Sequence, residues 1–184
     1  IAGKRIMVTG AAGSIGSNLV RQLASMAPAQ LTCVDWWENG TFFLSGELGA
    51  SDTTTYRIAD IKNAAAMSAL FRESRPDIIF HAAAYKHVPL MQANPLEAIN
   101  NNVGGSLNLM RLAIEFDVDS FVYVSTDKAV NPVNVMGATK RLAEMLMLAL
   151  SQHARTKFTA VRFGNVIESN GSVMQIFRKQ IASK

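Results

Sequence analysis

Cysteine is almost absent: Cys33 is the only one in 184 residues. A lone cysteine can build neither a disulfide framework nor a cysteine metal site. Set in an apolar run, it reads as an ordinary buried thiol, and no metal site is expected. Charge is sparse as well. Charged residues make up 17% of the chain, the net charge is +4, and no block of Lys and Arg occurs. That pattern argues against a nucleic-acid partner and is compatible with an anionic small ligand such as a nucleotide diphosphate. No run approaches the roughly 18 apolar residues of a membrane span. No signal peptide is visible, and repeats, low-complexity tracts and linkers are missing too. The chain starts at Ile1 rather than Met and stops at Lys184 in a helix-like run. The expectation is a piece of a longer protein, whose membrane topology stays open.

What is present suits one globular α/β domain with a sizeable core, since hydrophobic residues make up 49%. Strand-like runs are expected at 5–9, 31–34, 56–59, 77–80, 120–124 and 158–163. Helical spacing is expected at 14–26 through Ile15, Leu19 and Leu23, at 63–73 until Pro76 breaks it, and at 138–151. A further helical stripe runs over 96–116 through Ile99, Val103, Leu107, Met110 and Ile114. Alternating strand and helix units imply a doubly wound parallel sheet of about six strands with helices on both faces. Residues 36–55 hold both tryptophans and show no clean period. The 138–151 run contains MLMLAL, apolar on more than one stripe. That pattern fits a tightly packed crossover helix or one that meets a second subunit.

The first strand runs into VTGAAGSIGSNL, which places Gly10, Gly13 and Gly16 between a strand and a helix. Glycines there let the backbone approach a pyrophosphate, and the helix N-terminus carries positive dipole charge. Ser14 and Ile15 belong to the same cradle. Asp35 ends the second strand, 19 residues after Gly16. A carboxylate there accepts hydrogen bonds from a ribose 2′-hydroxyl and repels a 2′-phosphate, so NAD is favoured over NADP. Asp60 and Ile61 follow the third strand, where an adenine would sit, although Asp60 also suits a helix N-cap. Strand four ends in FHAAAYKHV. Its small Ala82, Ala83 and Ala84 let the chain pass under a dinucleotide, and Lys86 and His87 stand above the strand ends as cofactor or substrate contacts. Strand five leads into Thr126, Asp127 and Lys128, a hydroxyl, a carboxyl and an amine at one sheet edge.

Four runs carry a resemblance: TGAAGSIGS, HAAAYKHVPLM, STDKAVNPVNVMGATKRLAE and VRFGNVIESNGSV. In them the chain resembles the extended short-chain dehydrogenase/reductases, with an NAD-binding Rossmann fold. More narrowly it resembles the bacterial polysaccharide-biosynthesis nucleotide-sugar 4,6-dehydratases, the larger membrane-anchored members included. The resemblance implies a hydro-lyase that converts a UDP-N-acetyl-hexosamine such as UDP-GlcNAc to its 4-keto-6-deoxy product for capsule, lipopolysaccharide or another surface glycan. Asp127 and Lys128 match the family's elimination pair, with Asp127 as acid toward the C6 hydroxyl and Lys128 as base at C5, or the reverse. Thr126 would hydrogen-bond the C4 oxygen, and Lys140 would hold the nicotinamide ribose. Met136 stands where related sugar enzymes carry a Tyr base and cannot take a proton. A water chain, Asp127 or Lys128 must replace it, or the domain is catalytically silent.

Asn102 matches the superfamily's buried Asn beside the cofactor and needs a hydrogen-bond partner, expected to be a backbone carbonyl. Asn165 is implied in substrate contact, and Ser169 and Ser172 stand near the sugar or phosphates. Residues 165–184 are expected to open a substrate-binding portion that is largely missing after Lys184, with 1–184 as the NAD-binding domain. The implied partners are the UDP-sugar and a second copy docked through the helices at 96–116 and 138–151. The implied location is the cytoplasm, with the parent anchored to the inner membrane. A UDP-sugar 4-epimerase and a non-catalytic dinucleotide-binding module are the competing readings.

Overall fold

The computed structural model describes residues 1–49, 51–164 and 181. In chain order these form β1 (Arg5–Thr9), α1 (Ser14–Ala24), β2 (Gln30–Asp35), α2 (Glu38–Leu48) and β3 (Thr54–Ile58). Next come α3 (Ala64–Ser74), β4 (Ile78–His81), α4 (Val88–Ala93) and α5 (Pro95–Ala98). A π-helical segment (Ile99–Gly105) then leads into α6 (Ser106–Glu115). The remainder is β5 (Ser120–Thr126), a single 3₁₀ turn (Asp127–Ala129), α7 (Val135–Ser151) and β6 (Lys157–Phe163).

The six strands form one parallel sheet in the order β3-β2-β1-β4-β5-β6. The order reverses between β1 and β4. At such a switch point the loops leaving neighbouring strands splay apart above their C-terminal ends and open a crevice. Both faces of the sheet are covered. In β1, Ile6 and Val8 join a cluster with Val20, Leu23, Leu31 and Leu44, while Met7 joins the opposite cluster with Phe71, Ile79, Leu109 and Phe121. Alternate side chains of a strand point to opposite faces, so a strand buried on both sides reads as an unbroken apolar run. Phe71 and Phe121 are fully buried, each contributing about 1.5–3 kcal/mol of transfer free energy. Cys33 lies in this core, and burial pushes its thiol up to about 12.

One local reading needs correction, the stripe over 96–116, and two regions gain detail that periodicity did not give. The region 36–55 holds a regular helix, α2. Its buried positions are Gly40, Thr41 and Leu44, while Phe42 and Phe43 face solvent. Its hydrophobic residues therefore mark the wrong face, and no period could emerge. The stripe over 96–116 is not one helix. The π-helical turn inserts a phase shift, so Leu109, Leu112 and Ala113 pack inward while Leu107 and Ile114 are only half-buried. Helix α7 buries Met136, Gly137, Thr139, Lys140, Ala143, Glu144 and Met147 and exposes Leu142, Met145 and Leu148. Glu144 lies inside. The caps follow side-chain chemistry: Asn63 Oδ1 accepts from Ala66 N at 3.0 Å, and Asn134 Oδ1 accepts from Gly137 N at 2.8 Å.

Candidate active site

Two adjoining cavities occupy the crevice. The larger, about 570 Å³, lies above β1, β2 and β4; the smaller, about 210 Å³, lies above β4 and β5. They share Ile15, Ala82, Ala84, Tyr85 and Lys86 as a common wall.

The larger cavity is shaped by missing side chains. Gly10 has φ +71°, and a Cβ on it would stand 2.4 Å from Ala83 N. A Cβ on Gly16 would stand 1.9 Å from Gly10 O. Both encounters are with main chain, which cannot step aside, so the loop closes only with glycine. Gly10, Gly13, Ser14, Ile15 and Gly16 all line the cavity. The N-cap of α1 is Gly13, and its first turn carries no acid, so the positive end of the helix dipole meets the cavity undiluted. Asp35 lines the same cavity; its Oδ2 accepts from Ala12 N and its Oδ1 from Trp37 N, each at 2.9 Å. The carboxylate therefore also fixes the glycine loop, and each oxygen keeps lone-pair capacity for a ribose hydroxyl. These walls fit the dinucleotide expected from the sequence.

Trp36 and Trp37 wall the end beside Asp35, with Leu90, Met91 and Asn101 further along. None of these was singled out from the sequence. The signal available was the tryptophan pair directly after a strand-ending Asp. Ile61 lines the cavity, but Asp60 is not among its lining residues. Its Oδ1 accepts from Lys62 N at 2.9 Å, and the α3 N-cap is Asn63. Lys86 and His87 line the larger cavity, and partial burial holds the Lys86 amine below its ordinary value.

Asn102 stands behind the wall, outside the lining of both cavities. Its Oδ1 accepts from Tyr85 N at 2.8 Å, and its Nδ2 donates to Tyr85 O at 2.9 Å and to Thr139 Oγ1 at 3.1 Å. The expected carbonyl partner is Tyr85 O, and the role is to hold the Tyr85–Lys86 loop. The chain of bonds continues inward. Ser106 Oγ donates to Asn102 O at 2.7 Å, and His81 Nε2 lies 2.8 Å from that hydroxyl. Since the Ser106 proton is engaged, Nε2 donates to Ser106 and Nδ1 accepts from Thr9 Oγ1 at 2.7 Å. Burial holds His81 down at about 3, so it is neutral. The line Thr9–His81–Ser106–Asn102–Tyr85 ties β1, β4 and the π-helical turn to the wall shared by the two cavities.

The smaller cavity is walled by side chains with chemistry. Ser125, Thr126, Lys128, Met136, Lys140, Phe163 and Gly164 line it. Thr126 Oγ1 donates to Asp127 Oδ1 at 2.9 Å, and Lys128 Nζ donates to the same oxygen at 3.1 Å. These donors hold the Asp127 carboxyl below the usual range, Lys128 first and Thr126 second. Asp127 is not among the cavity's lining residues and its side chain is 56% exposed. A Cβ on Gly137 would stand 2.5 Å from Lys128 O, so α7 approaches the turn this closely only because residue 137 is glycine. Met136 is buried against Met91 and Ala98, with Tyr85 beside them. Lys140 Nζ donates to Val124 O at 2.6 Å and lies 4.1 Å from the centre of the Tyr123 ring. Below them, Glu144 accepts from Ser125 Oγ and is paired with Arg162, joining β5, β6 and α7. Asn165, Ser169 and Ser172 lie outside the described residues.

Residues 6–184 match the family model described as polysaccharide biosynthesis protein. The chain belongs to that family. It is 46% identical over 185 residues to the probable polysaccharide biosynthesis protein EpsC of Bacillus subtilis, a match covering 98% of this chain and 31% of that protein. It is 36% identical over 184 residues to an inverting UDP-N-acetylglucosamine 4,6-dehydratase of Campylobacter jejuni, covering 98% of this chain and 54% of the relative. Among solved structures, Pen from Bacillus thuringiensis superposes with a TM-score of 0.93 at 34% identity, covering 98% of this chain and 56% of that one. The chain thus spans about a third to a half of the length of these family members.

Proposed function

We propose that the chain is the NAD-binding part of a nucleotide-sugar 4,6-dehydratase that acts on a UDP-N-acetyl-hexosamine in surface-polysaccharide synthesis. The observation that carries this reading is the meeting of two cavities at one wall. One is built for a pyrophosphate; the other bears Thr126 and Lys128, with Asp127 bonded to both. The likeness to the Campylobacter jejuni dehydratase over nearly the whole chain supports it.

NAD, when bound, supplies the chemistry of taking a hydride from C4 of the sugar and returning it at C6. The chain's residues do the rest. Gly10, Gly13, Gly16 and the α1 N-terminus hold the pyrophosphate, and Asp35 holds the ribose. The C4 ketone makes the C5 proton acidic. Lys128 takes that proton while Asp127, when protonated, gives one to the departing C6 hydroxyl; Thr126 binds the C4 oxygen. Lys128 Nζ and Asp127 Oδ1 share a hydrogen bond that holds the two groups side by side.

The partners proposed with this function are the UDP-sugar and a second copy of the chain. Leu142, Met145 and Leu148 form an exposed apolar stripe on α7, which suits such a dimer. No helix among the described residues is long and apolar enough to cross a membrane. The active part is placed in the cytoplasm, where nucleotide sugars and NAD are available.

One observation favours a UDP-sugar 4-epimerase instead: the Asp127 carboxylate is half exposed and outside the cavity wall, and epimerisation at C4 needs no acid at C6. Mass spectrometry of UDP-GlcNAc incubated with the full-length protein separates the two. Loss of one water from the nucleotide sugar is the expected result, and an unchanged mass with a new stereoisomer would replace the dehydratase with the epimerase.

A further inference from the structure

Removal of a hydride from C4 requires that the C4 hydroxyl give up its proton. Met136, which faces the smaller cavity, has no group to receive it. One turn further along the same face of α7, Lys140 lines that cavity beside Thr126. Lys140 is 5% exposed, and its amine donates to Val124 O at 2.6 Å and lies over the Tyr123 ring at 4.1 Å. No salt bridge reaches Lys140 among the described residues. The nearby acid, Glu144, is paired with Arg162 and Arg141. A buried amine without an acid partner favours its neutral form, because burial penalises the charge. A neutral amine keeps an N–H for Val124 O and leaves a lone pair for a proton.

We propose that Lys140 is the base that takes the C4 hydroxyl proton, in the place that Met136 cannot fill. The proposal rests on the NAD-dependent sugar chemistry above, but only on its first step. The O–H bond at C4 breaks and an Nζ–H bond forms, while the hydride leaves C4 for bound NAD and C4 becomes a ketone. Val124 O, the Tyr123 ring face and Glu144 one turn on stabilise the resulting ammonium. Thr126, bonded to Asp127 at 2.9 Å, stands in the same wall. Lys140 releases that proton to solvent, and the solvent-exposed Asp127 carboxyl takes one up and gives it to the C6 hydroxyl, which leaves as water, so one proton taken equals one returned.

The groups acting on Lys140 are Glu144 on α7, the Tyr123 ring on β5 and neutral His81 on β4. Arg162 on β6 is paired with Glu144, and Tyr85, Lys86 and Lys128 line the same cavity as Lys140. Burial lowers the Lys140 amine to about 7, with Glu144 opposing the shift.

The test uses the full-length protein loaded with NAD and compares Lys140→Arg with the wild type. Arginine keeps the positive charge that a merely cofactor-holding lysine would supply, but never serves as a neutral base at ordinary pH. With NAD held saturating, we expect a single-turnover rate of nicotinamide reduction by UDP-GlcNAc at least about 100-fold lower. We also expect carbon-13 NMR of ε-labelled lysine to show the resonance missing from the variant titrating near neutrality. A Lys140→Arg enzyme within tenfold of wild type, or a Lys140 resonance titrating only above about pH 9, would overturn the proposal. A wild type that reduces its nicotinamide but yields no dehydrated sugar would refute the dehydratase reading and leave Lys140, judged by the same variant, intact.

Discussion

The two cavities are built in opposite ways. The one above β1 and β2 is defined by backbone: glycines that admit no Cβ, a helix end, and a carboxylate bonded to two amides. The one above β5 is defined by side chains: Thr126, Lys128 and Lys140 line it and Asp127 is bonded to the first two from outside the lining, with helix α7 turned so that Lys140 and Glu144 lie inside and leucines outside. A backbone cradle needs no titration to hold a pyrophosphate, and its requirements are steric. A side-chain cavity has charge states to set, and its groups must be held in place by neighbours. The first should therefore respond to substitution in binding, and the second in turnover.

Four measurements sharpen that division. The largest effect is expected at Asp127. Asp127→Asn should lower dehydration turnover by about a thousandfold, within the range for a lost acid, with NAD affinity unchanged by calorimetry. Equal losses of affinity and turnover would erase the distinction. Next is Gly10→Ala, which forces a Cβ against Ala83 N at positive φ. The expected outcome is roughly a hundredfold weaker NAD binding, with strain of about 1–3 kcal/mol visible in urea unfolding. Third, Asn102→Ala strips both main-chain groups of Tyr85 of their partner. At about 1–3 kcal/mol for a buried unsatisfied group, urea unfolding should show a loss of about 2 kcal/mol. Because Tyr85 belongs to both cavities, NAD affinity and sugar KM should both worsen. An effect on one alone would show that the cavities are not coupled through this wall.

The smallest effect is a gain. The Lys140 amine is lowered by burial from its usual 10.5 to about 7. Between those values the unfolded chain holds a proton that the folded chain does not. Lys140 therefore costs stability at neutral pH, and that cost vanishes as pH rises toward 10.5. Lys140→Met should raise stability at pH 7 by about 1 kcal/mol, with the advantage shrinking toward pH 10. A stability difference between the Met variant and the wild type that stays constant from pH 7 to pH 10 would mean that the amine keeps its ordinary value.

The sequence carried the sheet because its central strands β1 and β2 are buried along almost their whole length, and strands are bounded by Gly, Pro and Asp. The glycine cradle was equally plain, since steric need leaves one residue type. What escaped shares a cause. Helix α2 buries Gly40 and Thr41 and exposes Phe42 and Phe43, inverting the pattern that periodicity relies on. The π-helical turn shifts the phase within an otherwise regular stripe. Trp36, Trp37 and Tyr85 reach the cavities through loop geometry, which spacing along the chain does not encode. Asn102 was marked as buried and in need of a carbonyl, and finds Tyr85 O, but its distance from the cofactor cavity's lining emerges only from the fold.

The dehydration chemistry is tested most directly by proton NMR of UDP-GlcNAc incubated in D₂O with the full-length protein. The expected spectrum shows deuterium at C5 and a methyl group where the C6 hydroxymethyl stood. A sugar that keeps its C5 proton and its C6 hydroxyl would contradict it.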